Sequence, residues 1–258
     1  MNKLPTITLA FWVMKICATT LGETAGDLLS MTLDVGYAIS SLILISLFLV
    51  SLLGQLRAKG FHPALYWTVI LTTSTAGTTM SDFMDRTLGL GYASGSVLLL
   101  ALLLGVLAAW RFSERTVSVA HIDSRRGELF YWAAILVSNT LGTALGDYLA
   151  DDSGLGFVGG ALLIGSLIAS VALAYYCTRV SRVLLFWLAF VLTRPFGATL
   201  GDVLTKAHDK GGLDFGTVGS SSILAAVLVV LVIVAIRGQR TEPPLQPIPV
   251  ERRDRHRS

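Results

Sequence analysis

Four aspartates, Asp27, Asp82, Asp147 and Asp202, stand 55, 65 and 55 residues apart in apolar surroundings. Each closes a version of one phrase: GETAGD, GTTMSD, GTALGD and GATLGD. Carboxylates held away from bulk water ligate hard cations, exchange protons with one another, or pair with bases. Stepping back four residues at a time stays on one face of a helix. The first line then reads Asp27, Glu23, Thr19, Lys15, and the second Asp82, Thr78, Ser74, Ile70. The third reads Asp147, Thr143, Asn139, Ile135, and the fourth Asp202, Ala198, Arg194, Phe190. Thr20, Thr24, Thr75, Thr79, Thr140 and Thr199 lie beside these lines. The five acids and two bases on the four lines give a net charge of −3. An ionised Asp in the middle of a membrane helix costs roughly 2.5–3.5 kcal/mol. Such a cluster requires a cation, shared protons or a water-filled vestibule.

The candidate cation ligands are therefore Glu23, Asp27, Asp82, Asp147 and Asp202. Thr19, Thr20, Ser74, Thr78, Asn139 and Thr143 are candidates to line a path beneath them. Glu23 and Arg194 differ by four residues in level, about 6 Å along a helix axis. An ion pair between them is expected. Lys15, nearer the other end, is read as a snorkelling side chain. A different reading makes each Asp a cap at a helix end.

These residues must be carried by membrane helices. Of 258 residues, 53% are hydrophobic and only 14% charged, too little charge to cover a soluble domain of this length. The runs SSLILISLFLVSLLG, SVLLLALLLGVLAAW, GALLIGSLIASVALAYY and SSSILAAVLVVLVIVAI each approach the roughly 20 residues that span a bilayer. A β-barrel would alternate apolar and polar residues instead. The two cysteines, Cys17 and Cys177, make no disulfide framework and read as packing residues. The four histidines sit in or beside polar loops, which argues against haem or zinc.

The Asp register extends to other positions. Trp12, Trp67, Trp132 and Trp187 stand fifteen residues before the aspartates, and Gly22, Gly77, Gly142 and Gly197 stand five before. Gly26, Gly146 and Gly201 immediately precede three of them, with Ser81 in the remaining place. An aromatic follows, Tyr37, Tyr92, Phe157 or Phe215, and then a plain apolar helix. The expected fold is an all-α polytopic membrane protein of eight spans, four parallel two-helix repeats in a pseudo-symmetric bundle. The expected boundaries are 1–58, 59–112, 129–180 and 181–237 for the repeats, 113–128 for a cytoplasmic linker and 238–258 for a disordered, basic, Pro-rich tail. The first helix carries the repeat, so it is read as part of the fold and not as a signal peptide.

The small residues let helix backbones approach closely, so Gly22, Gly26, Gly77, Gly142, Gly146, Gly197 and Gly201 are read as helix-packing positions. Loosening of the helices to free carbonyl oxygens is the other reading. The four tryptophans are read as interface anchors. Of 20 Lys and Arg, 15 fall in the termini and the loops between repeats, and 3 in the loops within repeats. This bias predicts a multi-pass protein with both termini in the cytoplasm.

The W-x14-D register in four units of two spans resembles a bacterial family of uncharacterised membrane-anchored proteins built of four tandem repeats of unknown function. The resemblance runs to about Gly238 and implies the fold and the repeat count, with no settled activity. Repeat four departs most from the pattern. Pro195 replaces the Thr of Thr20, Thr75 and Thr140, and Arg194 stands where the others have Thr, Ser or Asn. The four sites are thus not equivalent, and Pro195 is expected to kink its helix.

The ligands on offer are hard oxygen donors, suited to Mn²⁺, Mg²⁺, Ca²⁺ or an alkali ion. The expected function is a transporter or channel for a small inorganic cation, a Mn²⁺- or Mg²⁺-like divalent favoured, with proton coupling compatible. The alternative is a non-transporting scaffold or sensor. No Ser-His, His-Glu-x-x-His or comparable signature marks an enzyme, and no catalytic residue is assigned. The expected partners are the lipid bilayer and the cation, with no nucleic acid. No cofactor is expected beyond a bound divalent or alkali cation, and a homo-oligomer is left open.

Overall fold

The computed structural model describes residues 4–119, 122 and 124–241. Among them are eight long helices: α1 (Leu9–Asp27), α2 (Tyr37–Arg57), α3 (Pro63–Asp82), α4 (Tyr92–Glu114), α5 (Arg125–Asp147), α6 (Gly156–Cys177), α7 (Arg182–Thr205) and α8 (Gly216–Thr241). The odd-numbered helices begin on conventional N-terminal signals. Thr8, Ser124 and Ser181 accept backbone N–H groups of α1, α5 and α7, and Pro63 opens α3. The even-numbered helices start at a glycine in the left-handed region: Gly36, Gly91, Gly156 and Gly216, with φ between 67° and 79°.

α1, α3 and α5 do not stop at their aspartates. Each runs on into one π-helical turn, Leu28–Thr32, Phe83–Thr87 and Tyr148–Asp152. α7 ends instead at Thr205, followed by a 3₁₀ turn at His208–Lys210. None of Asp27, Asp82 and Asp147 makes a side-chain capping bond there. α7 continues unbroken through Pro195.

The four Asp-bearing helices close a ring: α1 packs on α3 and α7, and α5 packs on α3 and α7. Each remaining helix lies outside the ring against the inner helix of the next repeat. α2 packs on α3, α4 on α5, α6 on α7, and α8 returns to α1. The outer helices bury little, and leucines and valines such as Leu42, Val50, Leu98, Leu104, Leu162 and Val234 stay exposed. A surface of this kind suits lipid and not water.

Among the described residues, six helices are long and apolar enough to cross a membrane: α2, α4, α5 with its π turn, α6, α7 and α8. The reading from sequence expected eight. α1 and α3 fall short because their inward faces carry the polar lines. In α1 these are Lys15, Thr19, Thr20, Glu23, Thr24 and Asp27, all buried. In α3 they are Thr73, Ser74, Thr75, Thr78, Thr79, Ser81 and Asp82, also buried.

The seam glycines set how near the ring helices come. A methyl group on Gly77 would lie 2.9 Å from the Asn139 backbone, and one on Gly146 2.9 Å from Ala198 Cβ. Gly22 meets Ser74, Gly26 meets Thr78, Gly142 meets Arg194, Gly197 meets Thr19 and Gly201 meets Glu23. These contacts lie in the Asp-bearing half of each helix, one seam after another around the ring. Freed carbonyls are not needed to explain these glycines.

The linker is shorter than the expected 113–128, because α4 reaches Glu114 and α5 begins at Arg125. Ser124 Oγ donates to Glu114 Oε1 (2.9 Å) and Val117 O accepts from Trp187 Nε1 (3.0 Å), so the linker folds back onto the bundle. α8 extends to Thr241, past the expected boundary at 237, and the rest of the expected tail lies outside the described residues.

Candidate functional site: a carboxylate layer inside the ring

Because every inner helix carries the same register, equivalent residues stack in layers along the ring. The outermost layer holds Asp27, Asp82, Asp147 and Asp202, all buried. Arg86 and Lys206 cover it. Each stands four residues after an aspartate, which puts it one helical turn above on the same face. Arg86 Nε lies 2.9 Å from Asp82 Oδ1, and its Nη2 lies 3.4 Å from Asp147 Oδ2. Lys206 Nζ lies 3.1 Å from Asp202 Oδ1 and 3.1 Å from Asp27 Oδ2. The aspartates thus form two bridged pairs, one joining repeats two and three, the other joining four and one. Burial alone would push the Lys206 amine down, but Asp202 and Asp27 more than reverse this, so it holds its proton above the ordinary lysine range.

One turn deeper sits Glu23, with Thr78, Thr143 and Ala198 at the same level. Arg194 rises into this layer from the turn below, with its side chain fully buried. Its Nη2 lies 2.9 Å from Glu23 Oε2, and donates to Thr78 Oγ1 and Thr143 Oγ1 (2.6 Å each) and to Ser74 O at 3.4 Å. Thr78 and Thr143 in turn donate to Glu23 Oε2, at 3.2 and 3.3 Å. One guanidinium nitrogen therefore ties all four inner helices together, because Glu23 is on α1, Thr78 on α3, Thr143 on α5 and Arg194 on α7. The other two Arg194 nitrogens, Nε and Nη1, have no hydrogen-bond partner among the described residues, and neither has Ser74 Oγ.

Carboxylate oxygens of Glu23, Asp147 and Asp202 all lie within 4.8 Å of one another, a spacing that can hold a metal ion. Asp202 Oδ1 meets Lys206 outside hydrogen-bond geometry and takes no other hydrogen bond, and Asp82 Oδ1 stands likewise toward Arg86. The five acids face three bases at this end of the ring, Arg194, Arg86 and Lys206, so with all five acids ionised two negative charges are left over. That is the charge of one divalent cation or of two protons.

Beneath the layer the ring interior stays buried, with polar and apolar side chains packed together. Lys15 does not snorkel out. It is fully buried, 3.4 Å from Asn139 Oδ1, with its Nζ 4.2 Å from the centre of the Phe190 ring. Ile70 and Ile135 share its level. Asn139 Nδ2 donates to Thr73 Oγ1 (3.0 Å). Thr19 and Thr20 spend their hydroxyls on carbonyls of their own helix, with Thr19 also reaching Thr193 O at 3.2 Å. Of the six candidate lining residues, Thr78 and Thr143 touch the acids, while Thr19, Thr20, Ser74 and Asn139 serve the packed interior.

The far end of the ring is aromatic. Tyr66 Oη and Tyr131 Oη hydrogen-bond at 2.7 Å, with Trp67 and Trp132 packed edge-on or tilted against Tyr66. Trp67, Trp132 and Trp187 are buried and Trp12 half-buried, so the expectation of four lipid-interface anchors is corrected. The seam glycines lie only in the other half of each helix, and here rings fill the space between helices. Cavities of about 520 and 230 Å³ open at this end, and neither touches any of the five acids.

The pairing roles of Arg86 and Lys206 were missed in the sequence, where both counted as loop bases. The signal was present: each stands four residues after its Asp, and the equivalent positions in repeats one and three hold Met31 and Asp151.

Four repeated helix pairs with a buried polar ring and an apolar exterior define an internally repeated, helical membrane protein. The chain belongs to the family of the Repeat of Unknown Function (DUF347), whose model matches residues 10–61, 65–116, 130–181 and 185–241. No curated protein and no solved structure matches it.

Proposed function

We propose that the chain is a multi-pass protein of the bacterial inner membrane that transports, or conducts, a small inorganic cation, with a divalent ion of the Mn²⁺ or Mg²⁺ kind favoured. One observation carries the reading: Glu23, Asp147 and Asp202, from three different inner helices, bring carboxylate oxygens within 4.8 Å of one another inside the ring. Hard, anionic oxygen donors at that spacing suit such ions, and carboxylates so close exchange protons as well. The chain itself performs no catalytic step in this reading.

The reading includes eight spans in four parallel repeats. The seam contacts support it: Gly22 meets Ser74 and Gly26 meets Thr78, so a four-residue advance on α1 matches a four-residue advance on α3. The Lys/Arg bias supports both termini in the cytoplasm, with the carboxylate layer toward the opposite face. α1 and α3 cross the membrane shielded by the ring, which relieves them of the hydropathy a lipid-facing helix needs.

A second reading rests on the same ion pairs. Arg194, Arg86 and Lys206 each bridge acids to other helices, as a purely structural lock in a non-transporting scaffold or sensor would. Flux decides between the two. Purified protein in liposomes is tested against Mn²⁺, Mg²⁺, Ca²⁺, K⁺, Na⁺ and H⁺, beside Asp147→Asn. Saturable flux of one cation, lost in the variant, is the expected result. No flux from either folded protein would leave the scaffold reading.

A further inference from the structure

Arg86 and Lys206 differ from Arg194 in one respect. Arg194 is completely enclosed, whereas the side chains of Arg86 and Lys206 are 32% and 23% exposed over aspartates that are buried. Both are long, flexible side chains at the boundary between the acids and the exterior. Both also divide their charge between two carboxylates. Within the Glu23, Asp147 and Asp202 group, Arg86 holds Asp147 and Lys206 holds Asp202. Their other partners, Asp82 and Asp27, stand outside that group.

An ion entering between Glu23, Asp147 and Asp202 meets Glu23 already paired with the enclosed Arg194, and its other two ligands held by the two bases at the boundary, the Arg86 guanidinium and the Lys206 ammonium. Neither base needs to leave the protein to release them. Arg86 retains Asp82 at 2.9 Å, and Lys206 retains Asp27 at 3.1 Å. Building on the cation reading above, we propose that Arg86 and Lys206 are tethered counter-ions that an arriving divalent ion displaces. They hold Asp147 and Asp202 until the ion arrives and then relax onto Asp82 and Asp27. Asp82 and Asp27 are thereby resting places for the bases and not ligands. The match is one of charge: with the bases retained and the five acids ionised, two negative charges remain, which one divalent ion neutralises. The device is twofold, since only repeats two and four carry a base at this position.

The test is Mn²⁺ binding to the full-length protein in detergent, with free Mn²⁺ read by electron paramagnetic resonance. Arg86→Met with Lys206→Met installs at both positions the residue found at Met31. Removing two competing charges is expected to tighten Mn²⁺ binding about tenfold or more. Na⁺ carries half the charge, so its binding is expected to tighten less, about threefold. Lys210→Met, which removes an exposed loop charge, is expected to change affinity less than about twofold. If the double variant fails to fold, single Arg86→Gln is read the same way, with about threefold tightening expected. Unchanged or weaker binding in the Arg86 and Lys206 variants overturns the handover while the cation reading stands. Equal tightening in Lys210→Met also overturns it, because the effect is then only the general field. No Mn²⁺ binding to wild type or variants overturns both.

Discussion

The two ends of the inner ring are closed in different ways. At the acid end, glycine seams bring backbones together, and closure depends on long charged side chains: Arg194 within and Arg86 and Lys206 above. At the aromatic end, Tyr66, Tyr131, Trp67, Trp132 and Trp187 fill the space with rings, and the sole polar pair among them, the two tyrosine hydroxyls, satisfies itself at 2.7 Å. A ring packed on every side cannot withdraw without leaving a cavity, whereas a side chain one-third exposed can swing. The difference leaves the acid end closed by side chains that reach the surface and the aromatic end closed by buried rings.

The largest effect should come from breaking the acid end at its centre. Arg194→Leu leaves Glu23 buried and unpaired, and should destabilise the protein by about 3–5 kcal/mol. Thermal unfolding in detergent measures this, and the Glu23→Leu/Arg194→Leu pair should recover much of the loss. Full additivity of the two changes would show that the pair is not coupled. At the aromatic end, Trp132→Ala removes a fully buried ring and should cost about 3 kcal/mol. It should leave Mn²⁺ affinity unchanged; a tenfold shift there would mean that the two ends are not independent. Tyr66→Phe leaves the Tyr131 hydroxyl without its partner, at a cost of about 1–2 kcal/mol in the same unfolding assay. The smallest effect should come from Thr20→Val, whose hydroxyl bonds only within its own helix at 2.9 Å. A change within about 0.5 kcal/mol is expected, and a large loss of cation flux would return Thr20 to the list of lining residues.

How much of this could be read in the sequence depends on the kind of feature. The repeat was fully legible, because Trp, Gly and Asp recur in one register, and the family match falls on the same four units. The level of Glu23 against Arg194 was legible too, since helical rise alone puts them within reach. Which helix packs on which was not, because hydropathy marks a lipid-facing surface without naming what lies behind it. The outer helix of each repeat therefore gave no sign that it belongs against the following repeat. The tryptophans misled for a related reason: a ring near a helix start suits an interface or a core equally, and only the glycine-free seams around it decide. Arg86 and Lys206 lie beyond the last apolar residue of their helices, where loops are conventionally drawn, yet the π turn keeps Arg86 on the face of Asp82.

The return of α8 to α1 makes the molecule circular in its contacts, although the chain is linear. Each outer helix packs chiefly on the inner helix of the next repeat, α8 touching its own α7 as well, so a fragment of one or two repeats has faces it cannot cover, and linear arrays of such units need end caps. Closure replaces the caps and also fixes the count, since a fifth unit would find no seam to enter. In a circle of this kind the place where the chain starts is arbitrary. A circular permutant opened at the linker between α4 and α5, with the old termini tethered, preserves every inner and outer helix pair described here.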